Sequence, residues 1–340
     1  MTRSPRVSVI VNNFNYERYV GEAVESALAQ DHDDIEVVVV DDGSTDGSPE
    51  VIAGFGDRIV AVLKANGGQG SAFNSGFAAA SGDVVIFLDA DDRLAPHAAS
   101  TVAQAFAREP ELASVQYRLD VVDAHGRSAG VTRPRRSGVL PSGDLAPHVI
   151  RFRAYHWQPT TGNAYAAWAL RKILPLPEGR YRIEADAYLA ELIPFCGPMR
   201  GLDDVLGDYR VHGANNYRGA TPDAAFFRKK IARIEEGHAL VVERAPALGS
   251  PAVPPSPDAA LDAAFMGFRL ASLRLDPANH PTRADRRLRL GLRGAYAALA
   301  NRQLGGAKAR SARAAWLVGV AVAPGTVARR VIGRWTPDVR

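Results

Sequence analysis

Cysteine is nearly absent from this 340-residue sequence, which contains one, Cys196. A lone cysteine excludes an intramolecular disulfide and a CxxC zinc site, so we expect it to be a small buried apolar residue. Long hydrophobic runs are also missing: the longest candidate, residues 314–323, is about half as long as the ~20-residue segment that spans a membrane. The N-terminus has no signal-peptide apolar region. These absences predict a cytoplasmic catalytic part, either free or peripheral at the inner face of the membrane.

Positive residues only slightly outnumber negative ones. The chain is 46% hydrophobic, 8% aromatic and 23% charged, with a formal net charge of +4. This composition predicts a globular protein with a sizeable core, organised as one large domain and an accessory one. Many arginines fall in the last third, so attraction to acidic partners should be local. They lack interleaved aromatic residues, which argues against nucleic-acid binding.

Strand and helix patterns alternate through the first third of the chain. Strands are predicted at 7–11, 35–40, 59–63 and 84–88, and helices at 17–30, 48–55 and 70–80. The apolar run at 35–40 should be buried on both faces. Such alternation predicts an α/β fold with a mainly parallel, Rossmann-like sheet flanked by helices. Ligands in these sheets bind beyond the carboxyl ends of the strands.

Polar or charged residues follow all four predicted strands. The four loops are 12–16, 41–46, 64–70 and 89–92. Helix capping would explain Gly43 to Asp46, but it does not explain Asp41 and Asp42, whose carboxylates could accept from a base imide or a ribose hydroxyl. The loops therefore predict a ligand site at one edge of the sheet.

The third loop is rich in glycine, which lets backbone amides approach a ligand closely. It does not fit the dinucleotide fingerprint, because Phe73 stands where the third glycine belongs, and no Walker lysine follows. Hydride-transfer and NTPase functions are therefore disfavoured.

Asp89 and Asp91 follow the apolar strand at 84–88. Being two residues apart, they leave an extended chain on the same side. Such close like charges repel each other, and the arrangement becomes favourable when a divalent cation lies between them and a polyphosphate. The alternative is a strand that ends in an acidic turn, to which we assign Asp92.

Together these motifs resemble the family-two glycosyltransferases of the A-type fold. The resemblance covers roughly residues 5 to 218 and is carried by an ordered series of motifs. They are 7–16, 38–46, Asn66-Gly67-Gly68 with Asn74 and Gly76, 87–92, 159–165, 173–178, 185–189 and 209–216.

The resemblance implies an inverting transfer of a sugar from a nucleotide diphosphate donor to a hydroxyl acceptor, which could be a saccharide, a lipid-linked glycan or a small molecule. Mg²⁺ or Mn²⁺ would be held by Asp91, helped by Asp89, and would stabilise the leaving diphosphate. The nucleotide-sugar site would comprise Asn13, Asn15, Asp41, Asp42, Gly67, Asn74 and Asp89. An alternative from another class is a non-catalytic nucleotide-sugar-binding or assembly module of a glycan-synthesis system.

Asp186 matches the position of the family's general base, which accepts the proton of the acceptor hydroxyl. Many relatives have Glu-Asp there, whereas this chain has Ala185-Asp186 with Glu184 before them. What orients the base is therefore open, and an acidic residue at a helix start is also favourable for structural reasons.

Further candidates come from the second half of the resemblance. His212 could be a metal ligand or a diphosphate donor, as the family motif suggests, or a hydrogen-bonded histidine in the site wall. The acceptor candidates are His156, Trp157, Thr161 and Asn163. Trp157 could stack on an acceptor sugar or belong to the core.

The predicted organisation is a catalytic domain at 1–218, with a nucleotide-binding half at 1–95 and an acceptor half at 96–218. A helix at 219–245, a proline-rich linker at 246–258 and a helical extension at 259–340 follow. The basic, apolar segment from Ala307 to Arg334 could lie on an anionic membrane surface, form a lid or make a homodimer contact.

Overall fold

A computed structural model describes residues 4–136, 138, 140–153, 155–213 and 222–333. Asn215, Asn216 and Arg334, which belong to predicted motifs, lie outside these ranges. The chain divides into two compact units, of which unit 1 is residues 1–145 and 157–213, and unit 2 is residues 146–156 and 214–340. The functional domain boundaries given above remain predictions.

The first half of unit 1 is a four-stranded parallel sheet in the order β3-β2-β1-β4. Its elements are β1 (Val7–Asn13), α1 (Glu17–Leu28), β2 (Ile35–Asp41), α2 (Ser48–Ala53), β3 (Val60–Leu63), α3 (Gln69–Ala79) and β4 (Val84–Asp89). The predicted elements are all present, with ends shifted by two residues or fewer. The short apolar runs form strands because each fits the doubly covered interior of a parallel sheet.

The second half of unit 1 extends the sheet with strands of both directions. Its elements are β5 (Arg93–Leu94), α4 (Ala98–Arg108), β6 (Ser114–Val122), β7 (Ser128–Arg133), β8 (Asn163–Ala166), α6 (Ala167–Ile173), α7 (Ala185–Leu192) and β9 (Met199–Arg210), while α5 (Ala146–Phe152) belongs to unit 2. The sheet continues from β4 through β8, β6 and β9 to β5, with β7 beside β6. β8 is antiparallel to both neighbours, whereas β6 and β9 are parallel. The predicted α/β fold is confirmed, and the first half of its sheet is entirely parallel, whereas the second half is mixed.

The core of unit 1 holds the strand ends in register. Val38, Val39 and Val40 are fully buried, as expected for a strand covered on both faces. The rings of Phe73 and Phe87 stack 4.1 Å apart between α3 and β4. The register of β1 places Asn13 opposite Asp41 and Asn12 opposite Asp89, so the polar ends of three strands meet at one edge. Cys196 is buried, as predicted.

Unit 2 is a bundle of helices. It contains α8 (Ala224–Arg244), α9 (Ala263–Leu275), α10 (Arg287–Ala300), α11 (Ala307–Val322) and α12 (Gly325–Gly333). The proline-rich stretch between α8 and α9 forms only 3₁₀ turns, because proline cannot continue a regular helix. The Asp262 carboxylate caps α9 by accepting from the amides of Ala264 and Phe265.

The unit 2 core consists of apolar faces from all five of these helices, with Phe227 contributed by α8. Leu270 of α9, Leu290 of α10, Leu317 of α11 and Ile332 of α12 are buried together. Within the described part of the chain, no helix is long and apolar enough to cross a membrane.

Candidate active site

The first two strand ends are joined by an internal hydrogen-bond network. Asn13 Nδ2 donates to Asp41 Oδ1 at 2.7 Å, and the Ser44 hydroxyl donates to the same oxygen at 2.6 Å. The other Asp41 oxygen accepts from the Ser44 amide at 3.0 Å. Both oxygens of this buried carboxylate are thus used by the protein. Asp41 and Asn13 therefore hold the second loop against the first.

Asp42 organises the glycine-rich third loop in the same way. Its carboxylate accepts from Lys64 Nζ at 2.7 Å and from the amides of Gly67 and Gly68 at 2.9 and 2.6 Å. The glycine amides that we expected to approach a ligand are thus directed at a protein carboxylate. A contact of Asp42 or Gly67 with a nucleotide remains a prediction.

The two other predicted nucleotide contacts also have protein partners. The Asn15 side-chain oxygen accepts from the Thr45 amide at 2.7 Å, which fixes the first loop. Asn74, on α3, donates to the carbonyl of Leu176 and accepts from its amide, both at 2.9 Å. Asn74 therefore ties α3 to the segment before α7.

Asn12 is the residue at this edge that the sequence analysis missed. Both atoms of its side-chain amide are buried and have no hydrogen-bond partner in the described structure. An unpaired buried amide costs about 1–3 kcal/mol, so such a group is expected where a ligand completes the site. The signal in the sequence is that Asn12 directly precedes Asn13 at the polar end of the first strand. The sheet register then places Asn12 opposite Asp89.

Three carboxylates cluster in the turn after β4. Burial, then the charges of Asp91 and Asp186, raise the pKa of Asp89 to about 8. Burial, then the charges of Asp91 and Asp89, raise the pKa of Asp92 well above its usual value. The cluster thus carries more negative charge than its surroundings stabilise, which is the condition in which a bound cation is favourable.

Asp92 is more than a turn residue. Its two oxygens accept from the Thr161 hydroxyl at 2.6 Å and from the Arg210 amide at 2.8 Å. Thr161 also accepts from the Asp89 amide at 3.3 Å. Our assignment of Asp92 to the following turn was therefore incomplete, because this buried carboxylate links β4 to the second half of unit 1.

The end of β9 forms the wall beside the acidic turn. His212 Nε2 lies 2.9 Å from Asp91 Oδ2, and the histidine ring packs on Tyr16 and Tyr19. Arg210 is fully buried, and its Nε donates to the Asp91 carbonyl at 2.6 Å. Arg210 lies within one of the motifs that indicated the family, but its role was not predicted from the sequence. Its buried cation fixes the turn that carries the carboxylates.

Asp186 lies in the first turn of α7, and a polar bridge leads from there to Asp89. The Gln69 side-chain oxygen accepts from the Ala185 amide at 2.9 Å, and its amide group donates to the Thr160 hydroxyl at 3.4 Å. Hydrogen bonds from Thr160 and Gln69 reach the Asp89 carboxyl, where they partly offset the rise in its pKa. Gln69, which the sequence analysis missed, therefore ties the start of α7 to the acidic turn.

Glycines allow this close approach of the third loop to the segment before α7. A Cβ on Gly68 would lie 2.5 Å from the Arg182 carbonyl oxygen, and one on Gly70 would lie 2.6 Å from the Tyr181 carbonyl oxygen. Gly68 also has a positive φ of 89°. These glycines therefore allow the two protein segments to pack closely against each other.

The four acceptor candidates lie in different surroundings. Asn163 is buried and folds the preceding turn, since its amide donates to the Pro159 carbonyl at 2.8 Å and its oxygen accepts from Gln116 at 3.0 Å. Thr161 is bound to Asp92, as described above. Trp157 is half-buried in unit 1, whereas His156 belongs to unit 2. Acceptor contacts by these four residues remain predictions.

The capacity of this site to hold a metal ion depends on the carboxylates of the acidic turn. Among the described residues, no three His, Cys, Asp or Glu side chains are arranged to hold an ion by themselves. Asp91 and Asp89 supply the hard oxygen donors that Mg²⁺ and Mn²⁺ prefer, and such ions are commonly completed by substrate phosphates. The donor set therefore fits a cation shared with a diphosphate.

Comparison with known proteins identifies the family of this chain. The family model for glycosyl transferase family 2 matches residues 8–164. An uncharacterized glycosyltransferase of Nostoc sp. is 40% identical over 220 residues, which are 63% of this chain and 67% of that protein. One from Rickettsia typhi is 42% identical over 96 residues, which are only 30% of its own length.

Solved structures show the same fold. Staphylococcus aureus TarS in complex with UDP-GlcNAc has a TM-score of 0.52 at 17% identity, covering 96% of this chain and 88% of that one. The mannosyltransferase PcManGT from Pyrobaculum calidifontis, in complex with GDP-Man and Mn²⁺, has a TM-score of 0.50 at 20% identity, covering 97% and 85%. The chain belongs to glycosyl transferase family 2 and is a glycosyltransferase with the A-type fold.

Proposed function

We propose that this chain moves a sugar from a nucleotide diphosphate donor to a hydroxyl acceptor with inversion, using Asp186 as the general base. The observation that carries the proposal is the polar bridge between the start of α7 and the acidic turn, in which Gln69 accepts from the Ala185 amide at 2.9 Å and donates to the Thr160 hydroxyl at 3.4 Å. The charge of Asp186 also helps to raise the pKa of Asp89. A carboxylate from the start of α7 thus lies near the carboxylates that end β4. A base and a candidate diphosphate site therefore lie within one polar network.

The donor side of the proposal is supported by the neighbours with bound nucleotide sugars, UDP-GlcNAc in TarS and GDP-Man with Mn²⁺ in PcManGT. We assign a Mg²⁺ or Mn²⁺ site to Asp91, with Asp89 and His212 beside it. When bound, such an ion would neutralise charge on the leaving diphosphate. His212, already hydrogen-bonded to Asp91, orients that carboxylate in this scheme.

The transfer itself needs one proton movement on the protein. The acceptor hydroxyl oxygen attacks the anomeric carbon as the bond from that carbon to the diphosphate oxygen breaks. Its proton passes to the Asp186 carboxylate. Attack from the face opposite the leaving group inverts the anomeric centre. Gln69 holds the helix start that carries Asp186, so in this scheme it orients the base.

The remaining predicted donor residues serve, in this proposal, to shape the nucleotide pocket. Asp41 and Asp42 fix the second and third loops, and the unpaired amide of Asn12 offers a contact to the bound donor. For the acceptor we propose a saccharide or glycan carrier, as the similarity of 168 residues to the hyaluronan synthase of Pasteurella multocida, at 33% identity, also suggests.

The variant Asp186→Asn tests the proposal. We expect transfer to fall by about 10²–10⁴-fold, the usual contribution of a general base, while donor binding measured by titration calorimetry stays close to that of the parent protein. Glu184→Gln, two residues earlier, is the matched control and should retain transfer. Full transfer by Asp186→Asn would exclude this role.

Donor and ion can be identified with the unmodified protein. A thermal-shift screen of nucleotide sugars with and without Mn²⁺ should show stabilisation by the true donor, because a ligand that binds only the folded state raises stability by mass action. A non-catalytic binding module would also be stabilised, but it would neither hydrolyse nor transfer the sugar.

A further inference from the structure

Helix α10 carries an exposed apolar stripe. Leu288, Leu292, Tyr296 and Leu299 are 53%, 64%, 58% and 49% exposed. Their spacing of four, four and three residues places them on one face of the helix, along about 16 Å. The opposite face packs into the unit 2 core through Leu290, Ala297 and Ala298. The stripe is therefore an apolar surface beyond what the fold requires.

Positive charge surrounds the stripe. Residues 283–333 contain eleven arginines and lysines and one acidic residue, Asp285, which is buried against Arg269 and His280. In the part of the chain that the structure describes, Arg287, Arg289 and Arg293 form no ion pair with a carboxylate. Arg293 donates to the carbonyls of Asp258 and Ala260, so its hydrogen-bonding capacity is partly used, but its charge is not neutralised by a carboxylate.

A small cavity adjoins this face. It measures about 60 Å³, and its charged lining residues are Asp258, Arg269, Asp285, Arg286, Arg289 and Arg293. Four arginines face two aspartates, both paired with Arg269, so the lining carries an excess of two positive charges. Arg289 and Arg293 follow Leu288 and Leu292 by one position, so they lie on the side of the helix next to the stripe. Several guanidinium groups around one cavity suit a phosphate.

We propose that α10 is a membrane-docking face, on which the apolar stripe enters the interface of an anionic phospholipid bilayer and the neighbouring arginines bind lipid phosphates. A basic amphipathic helix with leucine and tyrosine on its apolar side is typical of interfacial binding. A second copy fits less well, because a two-fold contact would place the same arginines against each other. The proposal does not depend on the transfer reaction.

This surface differs from the segment that the sequence indicated. Leu317, Val320 and Ile332, within residues 307–334, are buried in the unit 2 core. Deleting that segment would remove part of the core, so a deletion cannot test membrane binding. Substitutions on the exposed face of α10 can.

Co-sedimentation of the full chain with vesicles tests the proposal. We expect binding to phosphatidylcholine–phosphatidylglycerol vesicles, weak binding to phosphatidylcholine alone, and release by salt. Leu292→Gln should weaken binding about tenfold. Leu63→Gln is the matched control, because Leu63 is 61% exposed but lies outside the basic unit, and it should leave binding unchanged.

Arg289→Gln should weaken binding about fivefold, and Arg171→Gln should have no effect.

Two results would overturn the proposal. The first is no binding to the anionic vesicles, or equal binding by the Leu292→Gln and Leu63→Gln variants. The second is a dimer in sedimentation velocity that Leu292→Gln dissociates while vesicle binding is absent, which would assign the stripe to a second copy. Donor binding, measured separately, reports on the transfer site alone, so failure of either proposal can be told from failure of the other.

Discussion

Buried acidic residues are used in opposite ways in the two units. In unit 1, Asp89, Asp91 and Asp92 lie at the end of one strand. After burial, the charge of Asp91 raises the pKa of both Asp89 and Asp92, and the charge of Asp89 adds to the rise at Asp92. In unit 2, Asp285 is equally buried but meets Arg269 through two hydrogen bonds and lies 2.9 Å from His280. Burial lowers the pKa of Arg269, but its hydrogen bonds to Asp285 and Asp258 outweigh this effect and raise it.

This difference distinguishes a functional site from a charge network that only stabilises the fold. Balanced charges satisfy each other, so the Arg269 network holds α9 to the segment before α10. Unbalanced carboxylates make the folded state less stable unless something binds them, so a cluster of this kind is typical of a functional site. The type of residue and its burial are the same in both units, and the sign of the neighbouring charge decides its role.

Breaking the balanced network should have the largest effect. Asp285→Asn leaves the guanidinium of Arg269, whose side chain is 5% exposed, without its bidentate partner. We expect the free energy of unfolding to fall by about 3–5 kcal/mol, the usual cost of leaving one member of a buried pair. Chemical denaturation of the full chain measures it.

The control for this prediction is Asp276→Asn, which breaks the half-exposed pair with Arg228. Exposed pairs contribute about 0–1 kcal/mol, so this variant should remain near the parent protein. Equal losses in the two variants would contradict the distinction.

Removing the Asp89 carboxylate from unit 1 should increase the stability of the protein instead of lowering it. The raised pKa of Asp89 means that stability is lost as the pH rises from 3.8 towards about 8. Asp89→Asn should therefore raise the free energy of unfolding at neutral pH, by on the order of 1 kcal/mol. Transfer should fall about hundredfold, because charge stabilisation at the diphosphate is weakened.

Asp46→Asn provides the contrast within the same unit. Asp46 accepts hydrogen bonds from the amides of Glu17 and Ser48, and these lower its pKa despite the opposing effect of burial. Its replacement should lower the melting temperature. If Asp89→Asn lowered it as well, the carboxylates of unit 1 would be structural rather than poised for a ligand.

The last prediction concerns the pH dependence of stability and a buried neutral histidine in unit 2. Burial, then the charge of Arg153, lowers the pKa of His238 from 6.5 to about 4. The unfolded chain therefore binds a proton that the folded chain does not, and stability is lost as the pH falls from 6.5 towards 4, by about 1–2 kcal/mol. His238→Gln should flatten this part of the stability–pH profile. An unchanged slope would contradict the role of His238.

Much of unit 1 could be predicted because its signals are local. The apolar runs of β1, β2 and β4 and the amphipathic spacing of α1 define these elements without reference to distant residues. The order of motifs then indicated the family. The tail was less predictable, because a helix that is apolar on several sides does not reveal which side packs. The segment from Ala307 to Arg334 was interpreted as a membrane surface, a lid or a homodimer contact, and its Leu317 and Val320 lie in the core.

The sequence by itself determined the strand–helix alternation, the acidic end of β4 and the placement of Asp186 at a helix start, since each depends on neighbours in the chain. Only the tertiary structure decided which polar groups remain available. Asp41 and Asp42 are satisfied by protein partners, whereas both amide atoms of Asn12 and the side-chain oxygen of Asn13 have no partner among the described residues. The physical reason is that hydrogen-bond satisfaction and charge balance depend on groups far apart in the chain, such as Arg210 beside Asp91 and Gln69 beside Ala185.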